Sequence, residues 1–166
     1  MASEKNKNVL SVLVENRPGV LMRVVALISR RGFNIESLSV GPTEDPTRSR
    51  ITIITDVDDA AWEQITKQLN KLIVVHKITD LTDEPSIERE LVLFKVNAPA
   101  ERRSEVIEIA NLFRAKIVDV GRDSLTIEAT GDESKMQGIE DLLRAYGIKE
   151  ITRTGKIAMS RNSKEM

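Results

Sequence analysis

The chain has 166 residues, 40% of them hydrophobic, which is enough for one domain or two small ones. Its 25 lysines and arginines are balanced by 26 aspartates and glutamates, so no broad positive field exists to bind a nucleic-acid backbone or an anionic membrane. Cysteine is absent, which excludes disulfides and thiolate chemistry, and the N-terminal MASEKNKN has no apolar signal core, so we expect a cytoplasmic protein without a membrane segment.

The first half of the chain alternates strand and helix patterns in the order βαββαβ. Strands are predicted over residues 9–14, 35–40, 50–57 and 74–81. A helix is predicted over residues 18–31, with Pro18 in its first turn and Gly32 as its left-handed stop. A second helix begins at the cap residue Asp58. This order is the ferredoxin-like arrangement, in which one face of a sheet packs against two helices.

The second half of the chain repeats this order after a polar linker at residues 82–86. Strands are predicted over residues 91–96, 117–120, 125–129 and 148–151, and helices over about 101–114 and 132–146. No glycine stands at the first strand-to-helix junction of this half, where the sequence is Asn97-Ala98-Pro99. We therefore predict an α+β chain of two ferredoxin-like domains, residues 1–82 and 83–166, that share an architecture but not a site.

Several kinds of functional site lack the residues that they need. An RNA-recognition sheet stacks bases on aromatic side chains of its central strands, and residues 9–14 and 50–57 contain none. A metal centre or a Ser/His/Asp arrangement cannot be built around the one histidine, His76, which lies in an apolar strand pattern. We therefore predict no catalytic and no metal-binding residue.

The basic residues that are adjacent or clustered in the sequence are predicted to be surface or partner contacts. They are Arg30 and Arg31, Arg48 and Arg50, Arg102 and Arg103, and the tail residues Arg153, Lys156, Arg161 and Lys164.

One segment, VENRPGVLMRV at residues 14–24, has the features of a small-molecule site. The backbone amides at the start of a helix attract an anion, and Gly19 leaves room for a ligand there. Asn16 ends one strand and Asn34 begins the next, so we expect both near this helix start, where they would suit an amino acid. Two alternatives stay open: a simple tight turn, and a phosphate or acyl-phosphate site formed by Arg17 and the amides of residues 19–21.

A longer run that contains this segment, SVLVENRPGVLMRVVALISRRGFNIESLSVGPTEDPTRSRITI, resembles the ACT regulatory domain of the acetolactate synthase (acetohydroxyacid synthase) small subunit. The similarity continues through LIVVHKITDLT, ERELVLFKV, NLFRAKIVDVG and RTGKIAMSR, and so covers about residues 8–161. The resemblance implies an ACT domain followed by an ACT-like domain. It also implies a noncatalytic, feedback-regulatory role in branched-chain amino acid biosynthesis.

The partner implied by the resemblance is a large catalytic subunit that holds thiamine diphosphate, Mg²⁺ and FAD, and that condenses pyruvate with pyruvate or 2-oxobutyrate. This chain would raise that activity and confer inhibition by valine. The effector contacts of the family fall on Asn16, Gly19, Val20, Leu21, Asn34 and Ile35. Asn162 stands where a glycine is common in the family, which concerns the tail and not the effector site.

The strand at residues 35–40 is apolar and would lie at a sheet edge, so we predict a homodimer that pairs two ACT domains, with valine between them. Two other functions remain open. A free-standing amino-acid sensor acting on another enzyme would share the effector site, and an acyl-phosphate hydrolase would turn over substrate alone.

Overall fold

The computed structural model describes residues 7–161, so the predictions for Asn162 and Lys164 lie outside the described residues. Two compact units are present: one contains residues 7–87 together with 156–161, and the other is Glu88–Gly155. The first unit thus extends five residues beyond the predicted boundary and includes a later segment of the chain. The difference arises because Pro85 is followed at once by a strand, and because residues 156–161 pack on the first sheet.

The first unit has the predicted βαββαβ order. Its elements are β1 (Asn8–Glu15), α1 (Val20–Ser29), β2 (Ile35–Pro42), β3 (Arg48–Thr55), α2 (Asp59–Asn70) and β4 (Val75–Asp80). The strands form an antiparallel sheet in the order β2-β3-β1-β4, which places β2 and β4 at its edges. Alternate residues of the central strands, such as Leu10 and Ile53, are fully buried against apolar residues of both helices.

The ends of both helices follow the signals in the sequence, with one exception. Asp58 caps α2 by accepting a 2.8 Å hydrogen bond from the amide of Ala61, and Gly32 has the left-handed φ of 74° expected of a helix stop. Helix α1, however, begins at Val20 and not at Pro18. Gly19 has a φ of 85°, and this left-handed residue keeps Pro18 in the turn before the helix.

The second unit repeats the same topology. Its elements are β5 (Ser86–Asn97), whose first two residues belong to the first unit, α3 (Arg103–Leu112), β6 (Lys116–Val120), β7 (Ser124–Gly131), α4 (Glu133–Leu143), a 3₁₀ turn (Arg144–Tyr146) and β8 (Ile148–Arg153). The strand order β6-β7-β5-β8 matches that of the first sheet. Asp132 caps α4 as Asp58 caps α2, and Arg114 takes a left-handed φ of 54° where α3 has ended. The prediction of two ferredoxin-like domains is confirmed.

A further strand, β9 (Ile157–Ser160), was not predicted. The segment 156–161 covers the face of the first sheet that the helices leave open. The amide of Lys156 donates to Ser37 Oγ at 2.7 Å, and Ser39 Oγ donates to the Lys156 carbonyl at 2.7 Å. Ala158 is buried among Val9, Ile54 and Leu81, which belong to that face. We call residues 156–161 the strap. Lys156 is itself buried against its own unit, so the prediction that it is a surface or partner contact is wrong.

Most of the other clustered arginines make contacts within their own unit. Arg48 pairs with Asp45 at 3.5 Å, and Arg102 lies 4.3 Å from the centre of the Tyr146 ring. Arg103 donates to three backbone carbonyls, those of Ala98, Gly121 and Arg122. These residues stabilise loops and helix ends and form no cluster around a reactive group.

An ion-pair network joins α4 and the edge strand of the second unit. Glu140 accepts from Arg144 and from Arg153, each at 2.7 Å, and Arg153 also reaches Glu90 at 3.5 Å. The hydrogen bond from Arg144, with a further one from Arg153, holds the pKa of Glu140 below its ordinary value.

Among the helices in residues 7–161, none has the length and apolar character that a bilayer crossing requires.

Candidate functional site

The turn between β1 and α1 is tied to the loop between β2 and β3. The Asn16 amide donates to the carbonyl of Thr47 at 2.8 Å, and Asn16 Nδ2 donates to the carbonyl of Pro46 at 3.0 Å. The exposed Asn16 side chain is therefore held at the end of the sheet where β1 stops. Its oxygen carries no hydrogen bond among the described residues and is available to a ligand.

The loop that receives Asn16 is organised by its own hydrogen bonds. Asp45 Oδ1 accepts from the Thr47 amide at 2.9 Å and from Thr47 Oγ1 at 2.6 Å. The hydrogen bond from the Thr47 hydroxyl is the largest cause that lowers the pKa of Asp45 below its ordinary value. Sequence reasoning missed this contribution of Pro46 and Thr47, although Asp-Pro-Thr is a typical turn sequence.

The start of α1 is uncapped and open. Gly19 occupies the cap position without a side chain, and the first intrahelical bond runs from the Arg23 amide to the Gly19 carbonyl at 3.1 Å. The amides of Leu21 and Met22 thus lie in the first turn, at the positive end of the helix dipole. A Cβ added at Gly19 would meet no atom within 4 Å, so there is space in front of these amides. The arrangement can accept a small carboxylate.

Arg17 does not strengthen this anion site. Its Nε lies 2.7 Å from Glu15 Oε2, so a carboxylate of the chain already accompanies the guanidinium. The phosphate or acyl-phosphate alternative needs Arg17 as its charged partner, and the ion pair with Glu15 offsets that charge. This pair disfavours the phosphate or acyl-phosphate alternative.

The apolar members of the predicted site differ in accessibility. Val20 is 2% exposed and belongs to the core, so only its backbone can face a ligand, whereas Leu21 is 36% exposed. Ile35 is half-buried against the core, and Asn34, just before it, is exposed. The residues able to contact a ligand with their side chains are therefore Asn16, Leu21, Asn34 and, in part, Ile35.

The expectation that Asn16 and Asn34 of one chain lie together is wrong. Glu15 pairs with Arg48 at one end of β3, and Ile35 pairs with Thr55 at the other end. These positions are seven residues apart on β3, or about 24 Å at roughly 3.4 Å per residue. The reason is that a crossover helix runs back along the sheet, so that its start lies near the end of the first strand and its end near the start of the next.

The edge strand β2 and the start of α1 expose apolar side chains. Val40, near the end of β2, is 49% exposed, and Met22 is 71% exposed. Pro42 at the end of β2 pairs with Ser49, which in turn pairs with Val14 of β1. Val40, Met22 and Asn16 therefore lie toward the same end of the sheet, beside an unpaired strand edge.

Comparisons with known proteins cover both units. Residues 10–77 match the model of the AHAS small subunit-like ACT domain, and residues 89–162 match the model described as the small subunit of acetolactate synthase. A probable acetolactate synthase small subunit of Archaeoglobus fulgidus is 57% identical over 159 residues, which are 96% of this chain and 99% of that protein. The acetolactate synthase small subunit of Mycolicibacterium smegmatis is 53% identical over 161 residues, 97% of this chain and 95% of that one.

A solved structure agrees with these sequences. The crystal structure of the acetolactate synthase small subunit from Thermotoga maritima superposes with a TM-score of 0.84 at 42% identity, and the match covers 94% of this chain and 98% of that one. The ACT fold of the first unit and the extent of the relationship agree with the resemblance seen in the sequence. The chain belongs to the acetolactate synthase small-subunit family.

Proposed function

We propose that this chain raises the activity of an acetolactate synthase catalytic subunit and makes that activity sensitive to valine. Membership of a small-subunit family implies a large catalytic partner. The observation that carries the proposal is the match along nearly the whole chain, because it includes the effector-binding segment and the second unit alike. The cytoplasm, which the sequence indicates as its compartment, stays a prediction.

In this proposal the chain performs no chemistry itself. The large subunit holds thiamine diphosphate, Mg²⁺ and FAD, and converts two pyruvates to 2-acetolactate and CO₂ or uses 2-oxobutyrate as the second substrate. The small subunit acts by binding the large one and by changing its conformational equilibrium when valine binds. A ligand shifts such an equilibrium only through a difference in affinity between two states, and coupling of about 1 to 3 kcal/mol suffices.

The valine site is formed between two chains. If two first units pair through β2 about a two-fold axis, the two β2 strands run antiparallel. The start of one β2, at Ile35, then lies beside the end of the partner strand at Pro42. That end of the sheet carries Asn16, so pairing brings Asn34 of one chain toward Asn16 of the other, and two equivalent sites result. The exposed Val40 and Met22 support an interface at this edge.

Each part of valine has a complementary group in this site. The amides at the start of α1 and the open space at Gly19 accept the carboxylate. The side-chain oxygens of Asn16 and Asn34 accept hydrogen bonds from the ammonium group. Leu21, Ile35 and the backbone at Val20 surround the apolar side chain.

The proposal is tested by measuring acetolactate formation by the large subunit with and without this chain, each with and without valine. We expect the chain to increase the rate and valine to reduce only the increased rate. No stimulation, with valine still bound by the isolated chain, would favour a free-standing sensor that regulates another enzyme. Release of inorganic phosphate from an acyl phosphate by the isolated chain would favour the hydrolase instead.

Replacing either asparagine by alanine is expected to weaken inhibition and spare activation. Loss of one hydrogen bond to the effector costs roughly 0.5 to 1.5 kcal/mol, so the valine titration should shift to higher concentration by several fold. Asn16→Ala also loses the bond to Pro46, so its unfolding midpoint is measured in parallel. Asn111→Ala, an exposed asparagine of the second unit, is the matched control. Unchanged valine sensitivity in both Asn16→Ala and Asn34→Ala would rule out this site.

A further inference from the structure

A second feature of the first unit is a cleft between its two helices. Its volume is about 540 Å³. It is lined by residues of α1 and the turn after it, Arg23, Ala26, Leu27, Arg30 and Arg31, and by Gln68 of α2 and Leu72 just beyond that helix. No residue of β2 lines it, and α2 packs on β4, the sheet edge opposite β2. We therefore expect pairing through β2 to leave the cleft accessible.

The cleft is strongly positive although the chain as a whole is not. Three arginines line it and no acidic residue does. Within residues 7–161, no carboxylate lies within 4.0 Å of the guanidinium groups of Arg23, Arg30 or Arg31. Of these three guanidinium groups, only that of Arg31 donates a hydrogen bond there, to the Leu27 carbonyl at 3.3 Å. Like charges gathered around one cavity repel each other, and an anion between them removes that repulsion.

Helix stability explains only part of this arrangement. Arg30 and Arg31 follow the last residue of α1, where the helix dipole favours positive charge. Arg23 is the fourth residue of α1, where the dipole disfavours a cation, and the first turn contains no acidic residue to offset it. The position of Arg23 is therefore unfavourable for the isolated helix and favourable for a cleft that binds an anion.

The shape and lining of the cleft suit carboxylates presented by another protein. Ala26, Leu27 and Leu72 line the cleft beside the arginines and are partly buried, so the cleft combines apolar surface with positive charge. Guanidinium groups bind carboxylates through two parallel hydrogen bonds, and arginine combined with apolar surface is typical of protein interfaces. The cleft is also much larger than a single small ion requires.

We infer that this cleft binds an acidic segment of the catalytic large subunit. The inference rests on the proposed function, which supplies that partner, and it adds the surface through which the two subunits meet. The cleft is separate from the residues proposed to bind valine, so subunit association through it and effector binding are predicted to be separable by substitution.

The test compares Arg23→Glu/Arg30→Glu with a control of equal charge change, Arg122→Glu/Lys149→Glu, in which both residues are exposed and lie in the second unit. Affinity for the purified large subunit is measured by calorimetric titration at low and high salt. We expect the cleft variant to bind roughly tenfold more weakly or worse, with a flatter salt dependence, and the control to stay within about twofold of the wild type. Valine binding by the cleft variant should be unchanged.

If the glutamate variant does not fold, Arg23→Gln/Arg30→Gln is compared with Arg122→Gln/Lys149→Gln. We then expect the cleft variant to lose several fold in affinity for the large subunit.

Four results would overturn the inference. Wild-type affinity in the cleft variant, or equal weakening in the control, would show that the cleft is not the contact, while the proposed function stands because the wild type still binds. Cleft-dependent binding of inorganic phosphate to the isolated chain, with large-subunit affinity unchanged, would identify a small-anion site instead. Failure of the wild type itself to bind the large subunit would remove the proposed function and this inference together.

Discussion

Gly19→Asp is expected to abolish valine binding, and Gly19→Asn to weaken it much less. Gly19 has a φ of 85°, and asparagine and aspartate both tolerate this left-handed conformation better than other residues with side chains. Both fit the open space at this position and have nearly the same size. Only aspartate places a negative charge beside the proposed carboxylate site. Two like charges at about 4 Å cost about 4 kcal/mol at an effective dielectric constant near 20, or roughly a thousandfold in affinity.

Calorimetry on the two folded variants measures this effect, with the unfolding midpoint of each as a check of backbone strain. Valine affinity near that of the wild type in Gly19→Asp would refute the placement of the carboxylate at the helix start. Equal losses in both variants would show that the site requires space at Gly19 and that charge is secondary. The pair of variants therefore distinguishes a requirement for space at Gly19 from a requirement that no negative charge stand beside the ligand carboxylate.

Mixing an Asn16→Ala chain with an Asn34→Ala chain is expected to restore valine binding. The effect is measured at a valine concentration too low for either variant alone to bind appreciably. In a mixed dimer one site carries both substitutions and the other carries neither. Statistical exchange gives about half mixed dimers, so about a quarter of all sites should be intact. The prediction follows because Glu15 and Ile35 pair with opposite ends of β3, so that one chain cannot supply both asparagines to one site.

Two different affinity tags allow the mixed dimer to be isolated and titrated. One intact site per mixed dimer, with affinity near that of the wild type, is the expected result. No recovery in verified mixed dimers would contradict the interfacial site, even if each substitution alone impairs inhibition. A mixture of the wild type with Asn111→Ala controls for effects of subunit exchange.

The fold was predictable because local signals and hydrophobic periodicity agree along most of the chain. Gly32, Asp58 and Asp132 each perform the helix-ending or helix-capping role that their residue type favours. The exceptions have physical causes. Pro18 fits a first helical turn, but the left-handed Gly19 that follows it delays α1 to Val20. The strand β9 has only four residues, and contacts with a distant part of the chain stabilise it.

The candidate site could be proposed from residue types, and its members stay predictions, whereas its geometry could not be read from the sequence. Asn16, Gly19 and Asn34 stand out because amide side chains and glycine at strand and helix ends are typical of ligand contacts. Their distances depend on the direction in which α1 crosses the sheet and on which strand forms the edge, and these are properties of the assembled sheet. The hydrogen bond from Asn16 to Pro46 likewise joins residues 30 positions apart, which no local pattern indicates.

The strap has a consequence for the order in which the chain folds during synthesis. Residues 156–161 leave the ribosome only after the 68 residues of Glu88–Gly155, a delay of about 3 to 14 s at roughly 5 to 20 residues per second. Throughout this interval the first sheet can form, yet Val9, Ile54 and Leu81 lack the cover that Ala158 later provides. The nascent chain therefore presents an apolar patch at Val9, Ile54 and Leu81 that a chaperone can recognise, and the patch is covered once the strap has left the ribosome and packed on the sheet.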